Sequence, residues 1–204
     1  NAAILQHFNT FPEIDMIEFN PGSPNTIGKP ITGYDFEFME QALGNVKKNC
    51  DKPWGVKLPP YFDFWQFEKI AEIINRYKPD FVATINSIGN GLIIDWKKEQ
   101  PLVKPKGGFG GIGGEYIKPT ALANVRKLYE LLDKKIAVVG VGGVKSGVDA
   151  FEYVLCGAEA VQVGTAFMKE GPKCFARIQK ELAKIMQKKG YSSLEEFRGK
   201  LKML

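Results

Sequence analysis

The chain has 204 residues, 44% hydrophobic, 25% charged and 12% aromatic, a balance that excludes intrinsic disorder and fibrous repeats and suits one domain with its own core. Its 28 Lys and Arg against 23 Asp and Glu give a net charge of +5. That excess is too mild and too dispersed for a nucleic-acid groove, and the lysines that thicken near the end (Lys180, Lys184, Lys188, Lys189) interleave with glutamates as on a solvated helix face. Cys50, Cys156 and Cys174 are odd in number and far apart, and His7 is the only histidine. A disulfide framework and a metal site are therefore both disfavoured, and a reducing, cytoplasmic setting is expected. No apolar run approaches the roughly 20 residues of a membrane span, so no membrane partner is expected. The chain opens at Asn1 inside a segment that reads as a helix, which leads us to expect an N-terminally incomplete domain.

In chain order, the apolar pattern predicts a strand over 15–20, a Pro/Gly/Ser/Asn loop, and a helix over 35–50. A second strand follows at 54–58, ended by Pro59-Pro60, then a helix over 64–77 and a third strand over 81–85. The segment 86–119 is long and irregular, with strand-like stretches at 92–95 and 102–104 and a glycine-rich run. Beyond it we expect a helix over 120–132, strands over 136–141 and 160–163 separated by a helix over 148–155, a long helix over 173–189, and a short one over 194–197. Alternating, nearly all-apolar strands and amphipathic helices mean a parallel sheet covered by helices. Polar and glycine residues recur just after the strand ends, as in a (β/α)8 TIM barrel whose loops open on one face. Five βα units are visible where a closed barrel has eight.

Candidate chemistry sits at those strand ends. Gly140-Val141-Gly142-Gly143 and Val163-Gly164-Thr165 put glycines after two consecutive strands, where backbone N–H groups can approach a phosphate; tight left-handed turns are the plainer alternative. Lys57 lies late in an apolar strand and needs an anionic partner or a route to solvent. Asn20, Asn25, Asn86 and Ser87 offer amides and a hydroxyl for a small planar ligand. The run from Gly107 to Gly114 lacks the Lys-Ser/Thr ending of a nucleotide P-loop, leaving a flexible loop or a close backbone approach to a ligand.

Several segments together resemble the dihydroorotate dehydrogenases, specifically the soluble, fumarate-using group of that flavoprotein family. They are Asn25-Thr26-Ile27-Gly28-Lys29-Pro30, Gly55 to Asp63, Asn86-Ser87-Ile88-Gly89-Asn90-Gly91, Lys104 to Gly114, Pro119 to Asn124, Gly157-Ala158 with Gln162-Val163-Gly164-Thr165, and Gly190-Tyr191 with Phe197 to Lys200. The resemblance implies a barrel carrying FMN at its mouth. It further implies oxidation of dihydroorotate to orotate in pyrimidine biosynthesis, with hydride transfer to FMN, fumarate as acceptor and a cytoplasmic homodimer. Lys57 would stabilise the reduced flavin. Asn20, Ile85 and Gly114 would also meet the cofactor, while Gly142, Gly143, Gly164 and Thr165 would cradle its phosphate. Asn20, Asn25, Asn86 and Ser87 would hold the pyrimidine.

Two departures stand out. The group's catalytic cysteine lies in an Asn-Leu-Ser-Cys-Pro-Asn motif, whereas this chain reads Asn20-Pro21-Gly22-Ser23-Pro24-Asn25, which places Ser23 as the base. A hydroxyl lacks the near-neutral ionisation of a thiol (pKa about 8.5), so a slower reaction and a more alkaline optimum are expected. The second departure is the start: the family's first three strands precede this point, so a 204-residue piece is expected to leave its sheet unclosed and to hold FMN weakly. Two rival readings are a related FMN-dependent oxidoreductase of dihydrouracil type and a non-catalytic barrel remnant. A phosphate-binding isomerase is weaker, for want of a carboxylate base at a strand end.

Overall fold

The computed structural model describes residues 2–25 and 28–202; Thr26 and Ile27 of the family-like 25–30 segment lie outside the described residues. Five strands form one parallel sheet in simple sequence order: β1 (Ile17–Phe19), β2 (Trp54–Leu58), β3 (Phe81–Thr84), β8 (Ala137–Val141) and β9 (Ala160–Gln162). Helices α2 (Phe36–Asn49), α3 (Phe64–Tyr77), α4 (Lys118–Leu131) and α5 (Gly147–Cys156) connect or flank them, and α1 (Ala2–Asn9) precedes the sheet. Three of these helices begin where their caps demand: the side chains of Asp35, Asp63 and Ser146 accept the N–H groups of Phe38, Gln66 and Asp149.

The register separates the two faces of the sheet. Val56 pairs with Val82, which pairs with Val138, and all three point into the helix layer, at most 3% exposed. There they meet Met39, Leu43 and Val46 of α2, Ile70 and Ile74 of α3, and Val125 and Leu128 of α4, each set spaced three or four residues apart as one helix face requires. Each such side chain contributes about 1.5–3 kcal/mol through burial. The alternate residues, Glu18, Lys57, Val139 and Gln162, occupy the opposite face and stay partly open. The sheet is rolled so far that Gln162 on one edge strand donates to Glu18 on the other at 2.8 Å. That curl is the geometry of a barrel interior.

Two predicted features are corrected. Residues 102–104 form no strand; β6 is Gln100–Pro101, paired with β5 (Ile94–Asp95). The stretch 194–197 forms hydrogen-bonded turns rather than a helix, because Phe197 is held as a buried plug stacked on Phe151 at 4.6 Å. Three elements were not anticipated: β4 (Ile88–Gly91), its antiparallel partner β7 (Gly110–Ile112) inside the glycine-rich run, and the short α6 (Thr165–Glu170). The closing helix α7 (Lys173–Lys189) packs Cys174 and Ile178 against Ala150 of α5 and leaves Lys180, Lys184, Lys188 and Lys189 exposed as predicted. Among the described residues no helix is long and apolar enough to cross a membrane.

Gly140 faces the helix layer, where a Cβ would overlap the ring of Tyr153. Gly140→Ala is therefore expected to lower stability by about 1–3 kcal/mol through overpacking, read as a lower urea midpoint with an unchanged slope.

Candidate active site

All five strands run the same way, so their C-terminal ends meet at one rim, and a cavity of about 370 Å3 opens there. Its lining brings together nine of the predicted residues. Lys57 comes from β2, Ile85, Asn86 and Ser87 from the end of β3, Gly142 and Gly143 from the end of β8, and Gly164 and Thr165 from the end of β9. Gly114, just after β7, closes the same wall. The Thr84–Ile85 peptide in this rim is cis.

Lys57 solves its burial problem with polar partners. Its ammonium donates to Gln162 Oε1 at 2.5 Å and lies 3.7 Å from Glu18 Oε1, with its side chain 15% exposed. Glu18 and Gln162 were not singled out from sequence, although a Gln in an otherwise apolar strand was a legible signal. Asn20 lies outside the cavity lining but is joined to it: its Oδ1 accepts the Asn86 amide at 2.8 Å and the Gly22 N–H at 3.2 Å.

Ser23 and Asn25 lie on the loop after β1, outside the cavity lining. The Ser23 hydroxyl accepts the Asn25 N–H at 3.5 Å and meets no carboxylate or imidazole among the described residues. The loop itself is well seated. Lys106 donates to the Pro24 carbonyl, and the missing side chain of Gly89 in β4 leaves room for the Pro24 ring. On its other flank Tyr61, 1% exposed, donates to the Gly33 carbonyl at 2.8 Å. Asn124 of α4 in turn accepts the Tyr61 N–H at 2.9 Å and donates to its carbonyl at 3.0 Å.

The glycine end of the cavity is built to receive an anion. Gly142 (φ 133°) and Gly143 (φ 69°) turn the chain through conformations that side chains rarely adopt. Among the described residues no acceptor takes up the N–H groups of Gly142, Gly143 or Gly164. A Cβ on Gly164 would meet nothing within 4 Å, so the space beside it is open. Unpaired, backbone-borne donors beside a void fit a phosphate. Two carboxylates in the lining, Glu115 and Glu170, do not spoil the fit, since Lys145 and Arg177 respectively pair with them. The rest of the cavity is walled by Ile85, Ile117, Val141 and Val144, and the whole, about 370 Å3, falls in the range of about 300–1,000 Å3 usual for cofactor sites.

A sequence profile of dihydroorotate dehydrogenase matches residues 1–186. The chain belongs to the dihydroorotate dehydrogenase family. It is 57% identical to dihydroorotate dehydrogenase (fumarate) from Saccharomyces cerevisiae over 184 residues, which cover 90% of this chain and 59% of that protein. The corresponding protein of Saccharomyces bayanus is 54% identical over 204 residues, 100% of this chain and 65% of the relative. The chain thus spans about three fifths to two thirds of the length of these dihydroorotate dehydrogenases. The crystal structure of DHODH from Eimeria tenella in complex with ferulenol shares the fold with a TM-score of 0.79, at 19% identity over 98% of this chain and 56% of that one. The five βα units are accordingly part of a (β/α)8 barrel, in a family of flavoproteins.

Behind the glycine turn, Asp149 is 5% exposed and held by charge. Burial pushes its carboxyl pKa up, but hydrogen bonds from Lys118, Ser146 and the Lys145 amide outweigh that and leave it below the ordinary 3.8. A depressed folded value means the contribution is complete above the unfolded value and is lost as pH falls through the folded one. Asp149→Asn is expected to cost about 3 kcal/mol at neutral pH, the low end for a broken buried pair because Lys118 keeps Glu152. The difference from wild type should shrink in denaturation series taken below about pH 4.

Proposed function

We propose that this chain supplies the flavin-phosphate end and the proton-accepting loop of an FMN-dependent enzyme that oxidises dihydroorotate to orotate, with fumarate as acceptor. The observation that carries the reading is the cavity itself. It sets the partly buried cation Lys57, the amide and hydroxyl of Asn86 and Ser87, and Gly142, Gly143 and Gly164, whose N–H groups have no acceptor among the described residues, around one space, in a chain more than half identical to fumarate-type relatives.

Bound FMN supplies a two-electron acceptor. In this reading Gly142, Gly143, Gly164 and Thr165 hold its phosphate through backbone donors, Asn20, Ile85 and Gly114 contact the ring system, and Lys57 provides positive charge where electrons accumulate. Gln162 and Glu18 keep that ammonium in place, since each is already bonded to it or to the other. Asn20, Asn25, Asn86 and Ser87 orient the pyrimidine by hydrogen bonds. Ser23 accepts the C5 proton of dihydroorotate, held in position by the Pro24 anchorage on Lys106. The reading includes a single (β/α)8 domain to which these residues contribute, a cytoplasmic location and a homodimer, on the ground of similarity to the fumarate-type relatives.

A serine has almost no ionised form at neutral pH, and Ser23 has no acid–base partner among the described residues. Three outcomes follow for the full-length protein, measured by bleaching of the flavin with dihydroorotate. Ser23→Ala should slow reduction by about 10²–10⁴-fold, the usual contribution of a general base. Ser23→Cys should raise the rate at pH 7 and move the optimum downward, toward the thiol pKa of about 8.5. Dihydrouracil in place of dihydroorotate should give no bleaching. An unchanged rate in Ser23→Ala would remove Ser23 from the reaction, and bleaching by dihydrouracil alone would favour the related reductase.

A further inference from the structure

The glycine turn after β8 is held from behind by one helix, and the holding groups are buried. Tyr153 of α5, 0% exposed, donates its hydroxyl to the Gly142 carbonyl at 2.5 Å. One turn earlier on the same helix, Asp149 accepts the Lys145 N–H at 3.0 Å and the Ser146 hydroxyl at 2.7 Å. Its other oxygen takes the Lys118 ammonium, whose side chain passes directly behind Gly143, where a Cβ would stand 2.8 Å from that of Lys118. The turn from Gly142 to Ser146 is thus fastened at its first carbonyl, along its back and at its far end, while Gly142 and Gly143 line the cavity and their N–H groups meet no acceptor among the described residues.

Each of these bonds has a cost that stability alone does not explain. A carboxylate and a lysine withdrawn from water gain little net stability over an apolar pair of the same shape. A phenol 0% exposed likewise needs a partner that a phenylalanine would not. What the arrangement does secure is direction: two adjacent backbone donors fixed in left-handed geometry before any ligand arrives.

We propose that Asp149 and Tyr153 are positioning residues that pre-set the Gly142–Gly143 donors for a phosphate monoester, so that they govern the preference for FMN over the same flavin without its phosphate. The inference rests on the proposed function, since it takes the glycine end as the phosphate end. Neither residue touches the cofactor; each acts through the turn. Lys118 shares in this through Asp149, and it is also held by Glu152.

The test compares FMN with riboflavin on the full-length protein freed of flavin, by titration of flavin fluorescence. Tyr153→Phe keeps the ring that fills the space beside Gly140 and removes one hydrogen bond; Asp149→Asn keeps shape and removes the charge. Each is expected to weaken FMN binding about tenfold, the equivalent of one well-placed hydrogen bond, with riboflavin binding unchanged. A variant that loosens the whole barrel would weaken both flavins in parallel, and that result, or no change in either, would overturn the proposal. Should Asp149→Asn not fold, Tyr153→Phe decides alone. Wild-type protein that binds riboflavin as tightly as FMN would instead overturn the placement of the phosphate at the glycine end, a failure of the parent reading visible before any variant is made.

Discussion

Parallel pairing in strict sequence order is the constraint from which the site follows. Because β1, β2, β3, β8 and β9 all run the same way, every chain exit falls on one rim, and Lys57, Asn86, Gly142 and Gly164 converge although they are spread over more than a hundred positions in the chain. The pairing also sorts the side chains. A period of two sends Val56, Val82 and Val138 to the helices and leaves Lys57 and Gln162 on the inner face. Shifting β2 by one residue would bury Lys57 in the apolar helix layer, so the hydrophobic pattern and the functional pattern enforce the same register there.

Charge is handled differently at the two ends of the cavity. At the Lys57 end, a cation is kept in a half-buried place by a glutamine and a glutamate from opposite edges of the sheet, so that holding Lys57 and curling the sheet are one interaction. At the glycine end Lys118 bridges Asp149 and Glu152 behind the backbone, while in the lining the charges are paired, Lys145 with Glu115 and Glu170 with Arg177, which also holds Glu181. Besides those paired side chains and Lys169, the cavity there is lined by the neutral backbone of Gly142, Gly143 and Gly164. An anion would gain their dipoles without having to displace a side-chain carboxylate.

The main strands and helices were legible because each is long enough for its period to show and its ends carry chemistry. Asp35, Asp63 and Ser146 cap as their types suggest, and Pro59-Pro60 ends β2. The elements that were not legible are those whose existence depends on a partner far away. β7 consists of Gly110, Gly111 and Ile112, two of them glycines with little strand preference, and forms because β4 lies opposite. The apolar stretch at 102–104 reads as a strand by composition, yet Leu102 and Val103 remain exposed and the strand pairing falls just before it, at Gln100–Pro101. Around Phe197, aromatic stacking selects a turn where the local pattern suggested a helix.

By itself the sequence determined the parallel α/β architecture, the glycines after consecutive strands, the isolated lysine in β2 and the family likeness. All of these are local in the chain, visible as a residue type at a fixed distance from a strand end. Tertiary structure alone decided which groups partner Lys57, that Asn20 reaches the cavity through Asn86 while Ser23 has no acid–base neighbour among the described residues, and that Asp149 and Tyr153 stand behind the glycine turn. Those relations join positions up to 144 residues apart, as between Glu18 and Gln162, and no local period encodes them. They arise only when the sheet rolls and the helices settle on its outer face.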